Sequence, residues 1–234
     1  MSQPRKHRLS LPALLFTLIF VAALLSCGLL WLIPRLPTPP TPPSAPVPEL
    51  QESGVDFLVL VNEDHPIPGD WSVELTQLSN GQQVASAMYP ALQLMFDDAR
   101  AQGVYPIVAS GYRTAEKQKS LMDERIERYV SEGYSREDAA VEAALWVNSV
   151  GCSEHQTGLA VDINADGVHS YGYEVYEWLA VNAWQYGFIL RYPEGKTEIT
   201  GTDYEPWHYR YVGLSAAKQI HRAKITLEEY LDIS

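Results

Sequence analysis

The chain has 234 residues, a formal net charge of −12 at neutral pH and two cysteines. All 29 acidic residues lie at or beyond Glu49, whereas four of the 17 basic ones (Arg5, Lys6, Arg8 and Arg35) precede it, so the part after the N-terminus is strongly acidic. Such a surface excludes nucleic acid and anionic lipid as natural partners, and two cysteines, one of them within an apolar run, give no disulfide framework.

The first ten residues are basic, and Leu11 to Ile33 follows as 23 residues without a charge. That run is long enough to cross a bilayer with some tilt. Basic residues on its N-terminal side predict a cytoplasmic N-terminus and an external C-terminal domain, a single-pass protein of the cell membrane. A cleaved signal peptide competes with this, but its apolar region is shorter and ends in a small-residue cleavage site that is not seen here. Leu24-Leu25-Ser26-Cys27 faintly resembles a lipoprotein processing site, yet apolar sequence continues through Ile33. Residues 34–50 are then a spacer: eight of the fifteen from Pro34 to Pro48 are proline, which favours extended polyproline II. Residues 51–234 are long enough for one domain with its own core.

Within that domain Phe57 to Val61 is a short apolar run. Tyr89 to Gln102 carries Leu92, Met95, Phe96 and Ala99 at helical spacing, and Gly103 stops it. Tyr105 to Ala109 reads as a buried strand. Thr114 caps a helix from Ala115 to about Glu132, and Ser135 with Asp138 caps another reaching about Trp146. Leu159 to Ile163 is a second strand, Tyr173 to Tyr186 a helix, and Phe188 to Arg191 and His208 to Val212 are two more strands. A helix from Leu214 to about Arg222 completes the pattern. Strands scattered between helices of unequal length predict an α+β fold, a small, mainly antiparallel sheet with helices on one face.

Two segments carry chemistry. Ser153-Glu154-His155-Gln156-Thr157-Gly158-Leu159-Ala160-Val161-Asp162 supplies an imidazole and a carboxylate, and Glu205-Pro206-Trp207-His208 supplies a carboxylate three residues before an imidazole. Two imidazoles and one carboxylate leave a fourth zinc position open for water, with a spare carboxylate to take its proton. His155 and Asp162 are seven apart, which is no one-face helix spacing, so Gly158 has to turn a loop into the strand that presents Asp162. A carboxylate ending an apolar strand is costly to bury without a cation or strong donors beside it. Two other metal readings compete. Asp162-x-Asn164-x-Asp166-Gly167 copies the first half of a calcium loop, but Tyr173 stands at the twelfth place where a bidentate Glu belongs. Cys152 and His155 have a C-x-x-H spacing. His65, His169 and His221 read as surface or structural residues.

Together with Ser110-Gly111-Tyr112-Arg113-Thr114, these segments resemble the zinc D-alanyl-D-alanine carboxypeptidases of the VanY type, which share a small α+β fold with the hedgehog signalling domain. The resemblance covers most of Phe57 to Val212. It implies that His155, Asp162 and His208 hold one zinc ion, that Glu205 is the base that takes a proton from water and returns it to the leaving amine, and that Arg113, Gln118 and Ser153 face the substrate. Arg113 suits either a terminal carboxylate or a developing oxyanion, and sequence does not choose. The implied reaction removes the C-terminal D-alanine from peptidoglycan stem peptides. An L,D-carboxypeptidase acting on tetrapeptide stems is the rival enzyme, and a non-catalytic cell-wall binding module is the rival of another class.

Overall fold

The computed structural model describes residues 39–48, 54–165 and 173–232, and the folded body begins at Pro40. The expected basic N-terminus and the anchor at 11–33 lie outside the described residues. Among the described residues no helix is long and apolar enough to cross a membrane.

A two-stranded hairpin, β1 (Leu75–Gln77) and β2 (Gln83–Ala85), comes first. It was not anticipated, because three-residue strands are too short for alternation to register. The main sheet holds β3 (Val108–Ser110), β4 (Ala160–Ile163), β5 (Phe188–Leu190) and β6 (His208–Tyr211). Its order is β3-β4-β6-β5 and every neighbouring pair is antiparallel. The helices are α1 (Tyr89–Ala101), α2 (Ala115–Ser131), α3 (Arg136–Ala144), α4 (Tyr173–Asn182), the short α5 (Thr197–Thr200), α6 (Leu214–Ala223) and α7 (Leu227–Asp232). The α+β expectation is therefore met. The caps also form as expected: Thr114 Oγ1 accepts from Lys117 N at 3.2 Å and Ser135 Oγ from Asp138 N at 3.0 Å. The helix expected over Tyr173 to Tyr186 tightens to a 3₁₀ turn after Asn182.

Residues alternate across a strand, and the two faces of β4 and β6 divide accordingly. Val161, Ile163, Tyr209 and Tyr211 join one core with Leu92, Met95 and Phe96 of α1 and Leu179 of α4. Asp162 and His208 are paired across the ladder and share the opposite face, as do Ala160 and Arg210. Ile189, paired with Arg210, belongs to a second cluster with Ala217 and Ile220 of α6 and Leu227 of α7. Helices thus close on both faces, where sequence suggested one. The reason is the hydrophobic edge of β5, which presents Ile189 on the side of the functional residues and needs its own cover.

The proline-rich stretch is not wholly a spacer. Thr41 N donates to Asn182 Oδ1 at 2.9 Å, Gln185 Nε2 to Thr41 O at 2.8 Å, and Ser44 N to Asp98 Oδ2 at 2.9 Å. Val47 packs on the first core. The body accordingly starts about ten residues before the expected boundary at 51.

Candidate metal centre and active-site cleft

His155 lies on a 3₁₀ turn, Glu154–Thr157, that ends at Gly158 with φ of 76°. That left-handed backbone, which a glycine adopts without strain, reverses the chain into β4. The turn orients the imidazole through His155 Nδ1, 2.8 Å from Gly111 O, which leaves Nε2 3.3 Å from Asp162 Oδ2. Gly111 itself is pressed against β2: a Cβ there would lie 2.1 Å from Gln83 O. From β6, His208 Nδ1 lies 3.1 Å from Asp162 Oδ1 and 3.5 Å from Glu205 Oε2. The two imidazoles meet edge to face, with centroids 4.9 Å apart.

One ligand atom from each of His155, Asp162 and His208 falls within 4.8 Å of the others, and all three residues are buried. Borderline nitrogen donors with one carboxylate suit a tetrahedral zinc site with one position left over. The electrostatics agree. Burial by itself lowers the pKa of His208, but the carboxylates of Asp162, Glu154 and Glu205 outweigh it and raise it to about 9. An enclosed imidazole that holds a proton so firmly marks a pocket with surplus negative charge, which a divalent cation would neutralise. The residues present therefore fit the metal. Burial pushes the Glu205 carboxyl up to about 7, aided by the charge of Asp162 and opposed by those of His208, Arg113 and Arg125.

These groups line a cleft of about 590 Å³ whose far wall is α2. Arg113 is fixed in it on two sides, by Nε donating to Ser110 Oγ at 2.8 Å and by Nη2 pairing with Asp162 Oδ2. Gln118, the one buried residue of α2, gives its Nε2 to Asn148 O at 2.7 Å, while its buried Oε1 has no hydrogen-bond partner. Ser153, just before the turn that carries His155, is buried and lines the same cleft. All seven residues singled out from sequence are brought together here. Of the residues in the rival readings, Asn164 Oδ1 accepts from Ile107 N at 2.8 Å as part of the join to β3, and among the described residues Cys152 is not in the ligand group. Asp166, Gly167 and His169 lie outside the described residues.

Three residues were missed. Glu154, within the quoted motif, is wholly buried between Arg191 and Arg210. Arg210 is a charge inside a strand, His208–Tyr211, that is buried along its whole length, so the rule that flagged Asp162 applies to it too. Arg125 lines the cleft with its guanidinium 5.9 Å from the Trp146 ring. Among the described residues no carboxylate lies within ion-pair distance of it. On a polar helix surface it had no distinguishing signal.

Residues 81–214 match the family model described as VanY, D-alanyl-D-alanine carboxypeptidase. The chain is 58% identical over 175 residues to a D-alanyl-D-alanine carboxypeptidase of Enterococcus faecalis, covering 75% of this chain and 65% of that protein. It thus spans just under two thirds of that relative. A solved vancomycin-resistance D,D-pentapeptidase VanY, in complex with Zn(II), superposes with a TM-score of 0.73 at 57% identity, covering 76% of this chain and 99% of the other. An L,D-carboxypeptidase, LdcB, superposes with a TM-score of 0.61 at 35% identity, over 75% of this chain and 86% of the other.

Proposed function

We propose that this chain, which belongs to the VanY family of D-alanyl-D-alanine carboxypeptidases, is a zinc-dependent carboxypeptidase that removes the terminal D-alanine from peptidoglycan stem peptides. The convergence of His155, Asp162 and His208 beside an unligated, buried Glu205 carries this reading. Zinc held by those three side chains would supply a Lewis acid that polarises the scissile carbonyl and acidifies water.

The rest is done by the protein. Glu205, with its raised proton affinity, takes a proton from water at a carboxylate oxygen and hands it to the leaving amine. Arg113 is anchored against the ligand Asp162, so its remaining N–H groups meet negative charge developing on the carbonyl oxygen. That leaves Arg125 for the terminal carboxylate: its guanidinium lies over the Trp146 ring and no carboxylate among the described residues is within ion-pair distance of it. Gln118 Oε1 accepts an amide N–H of the bound peptide. Greater likeness to the D,D- than to the L,D-enzyme favours pentapeptide stems over tetrapeptide stems. The charge-free run at 11–33 supports a membrane anchor that holds the domain outside the cell, where such stems are found.

The test is Glu205→Gln, assayed with pentapeptide and tetrapeptide stems by product mass. The variant should keep stoichiometric zinc and lose hydrolysis. Full activity, or a wild-type protein without zinc, would refute the assignment.

A further inference from the structure

Glu154 is a wholly buried carboxylate that the proposed chemistry does not use. Its Oε1 is saturated, accepting from Arg191 Nε at 2.7 Å and Arg210 Nη1 at 2.9 Å. Neither arginine is free to turn. Arg191 Nη1 and Nη2 grip Glu228 of α7 at 2.9 and 2.6 Å, and Arg210 Nη2 donates to Phe57 O and Val59 O at 3.0 and 2.9 Å. The other oxygen, Glu154 Oε2, has no hydrogen-bond partner. It faces His208 Nε2 across 3.7 Å, and that nitrogen has no hydrogen-bond partner either. On the other side of the ring Nδ1 faces Asp162 and Glu205.

A neutral imidazole carries one N–H and one lone pair. The group facing Nε2 is a carboxylate oxygen, which can only accept. We propose that Glu154 is a positioning residue that keeps the His208 proton on Nε2 and so turns the Nδ1 lone pair toward His155 and Asp162. Arg191 and Arg210 fix which oxygen does this, with Glu228 and the 57–59 backbone holding the arginines. The C-terminal helix α7 and the segment entering the domain thereby brace a metal ligand that neither touches. This inference rests on the zinc reading above, in which an outer partner sets a histidine ligand's tautomer.

Glu154→Gln is a sharp probe because its amide has one permitted orientation. The amide oxygen must stay on Arg191 and Arg210, since an NH₂ there would face donors. The NH₂ then points at His208 Nε2 and calls for a lone pair, which moves the ring proton to Nδ1 and blocks the ligand atom. In the full chain, zinc affinity measured by competition with a chromogenic chelator should fall about 10–100-fold, while the metal-free circular dichroism stays native. Equal zinc affinity in wild type and variant overturns the proposal and leaves the zinc reading standing; no zinc uptake by the wild type takes down both. A variant that fails to fold does not end the test. In the zinc-loaded wild type, nitrogen-15 spectra should show the His208 ring proton on Nε2, slowly exchanging with water, and a proton on Nδ1 would overturn the assignment.

Discussion

Gly111→Ala tests whether the contact between hairpin and sheet sets the metal site. An added Cβ would lie 2.1 Å from Gln83 O and 3.2 Å from Gln83 C, both backbone atoms that cannot swing aside. β2 and the end of β3 must part, which strains Tyr112 N donating to Gln83 O at 2.6 Å and the 2.8 Å contact of Gly111 O with His155 Nδ1. Relieving such an overlap costs about 1–3 kcal/mol, and each weakened hydrogen bond adds roughly 0.5–1.5 kcal/mol. The total is about 2–6 kcal/mol, and at roughly 2–4 °C per kcal/mol for a domain of about 150–250 residues the melting midpoint should drop by about 4–24 °C. Zinc affinity should fall as well, because His155 loses the carbonyl that aims its Nε2. Gly69→Ala is the control: no atom lies within 4 Å of its added Cβ and its φ is not positive. Thermal melts of the zinc-loaded proteins decide the matter. If Gly111→Ala melts with wild type and Gly69→Ala, the packing argument is wrong.

Two further outcomes follow from the cleft and the N-terminal strap. Arg125→Gln should lower kcat/KM about 10–100-fold on stems ending in a free carboxylate and leave the corresponding amides unaffected, the loss of one charge-assisted contact; unchanged discrimination in steady-state kinetics would place carboxylate recognition elsewhere. Asp98 is subject to burial, which raises its pKa, but bonds from Ser44 and Tyr186 outweigh it and hold the carboxyl below the usual range. A depressed folded-state pKa stabilises above the unfolded value and is lost as pH falls through the folded one. Asp98→Asn should therefore be less stable at neutral pH, with a flatter decline on acidification, and parallel denaturation curves for variant and wild type across that range would refute it.

The legible parts of the fold are those with local causes. Thr114 and Ser135 cap helices through bonds three residues long, and Leu92, Met95, Phe96 and Ala99 mark a helix face by their spacing alone. The hairpin Leu75–Ala85 and helix Leu227–Asp232 were hidden, because short elements have too few positions for a period to show. Thr41 to Val47 read as a free spacer since proline predicts extended backbone, which it is compatible with; what holds it down, Asp98 and Asn182, lies more than fifty residues away.

Sequence by itself determined which donors the site has. Two histidines and a carboxylate in two short motifs were enough to name the three side chains that converge as a candidate ligand set, because metal chemistry restricts the residue types to a few. Tertiary structure alone decided how they are used. The antiparallel register pairs Asp162 with His208, the close approach at Gly111 aims His155, and the ion pair with Asp162 holds Arg113 beside these side chains. It also sets Glu154 between Arg210 of β6 and Arg191, just beyond the end of β5, and places its free oxygen before His208. Ligand identity is a local property of a side chain, whereas tautomer, orientation and charge state depend on neighbours that only the folded chain assembles.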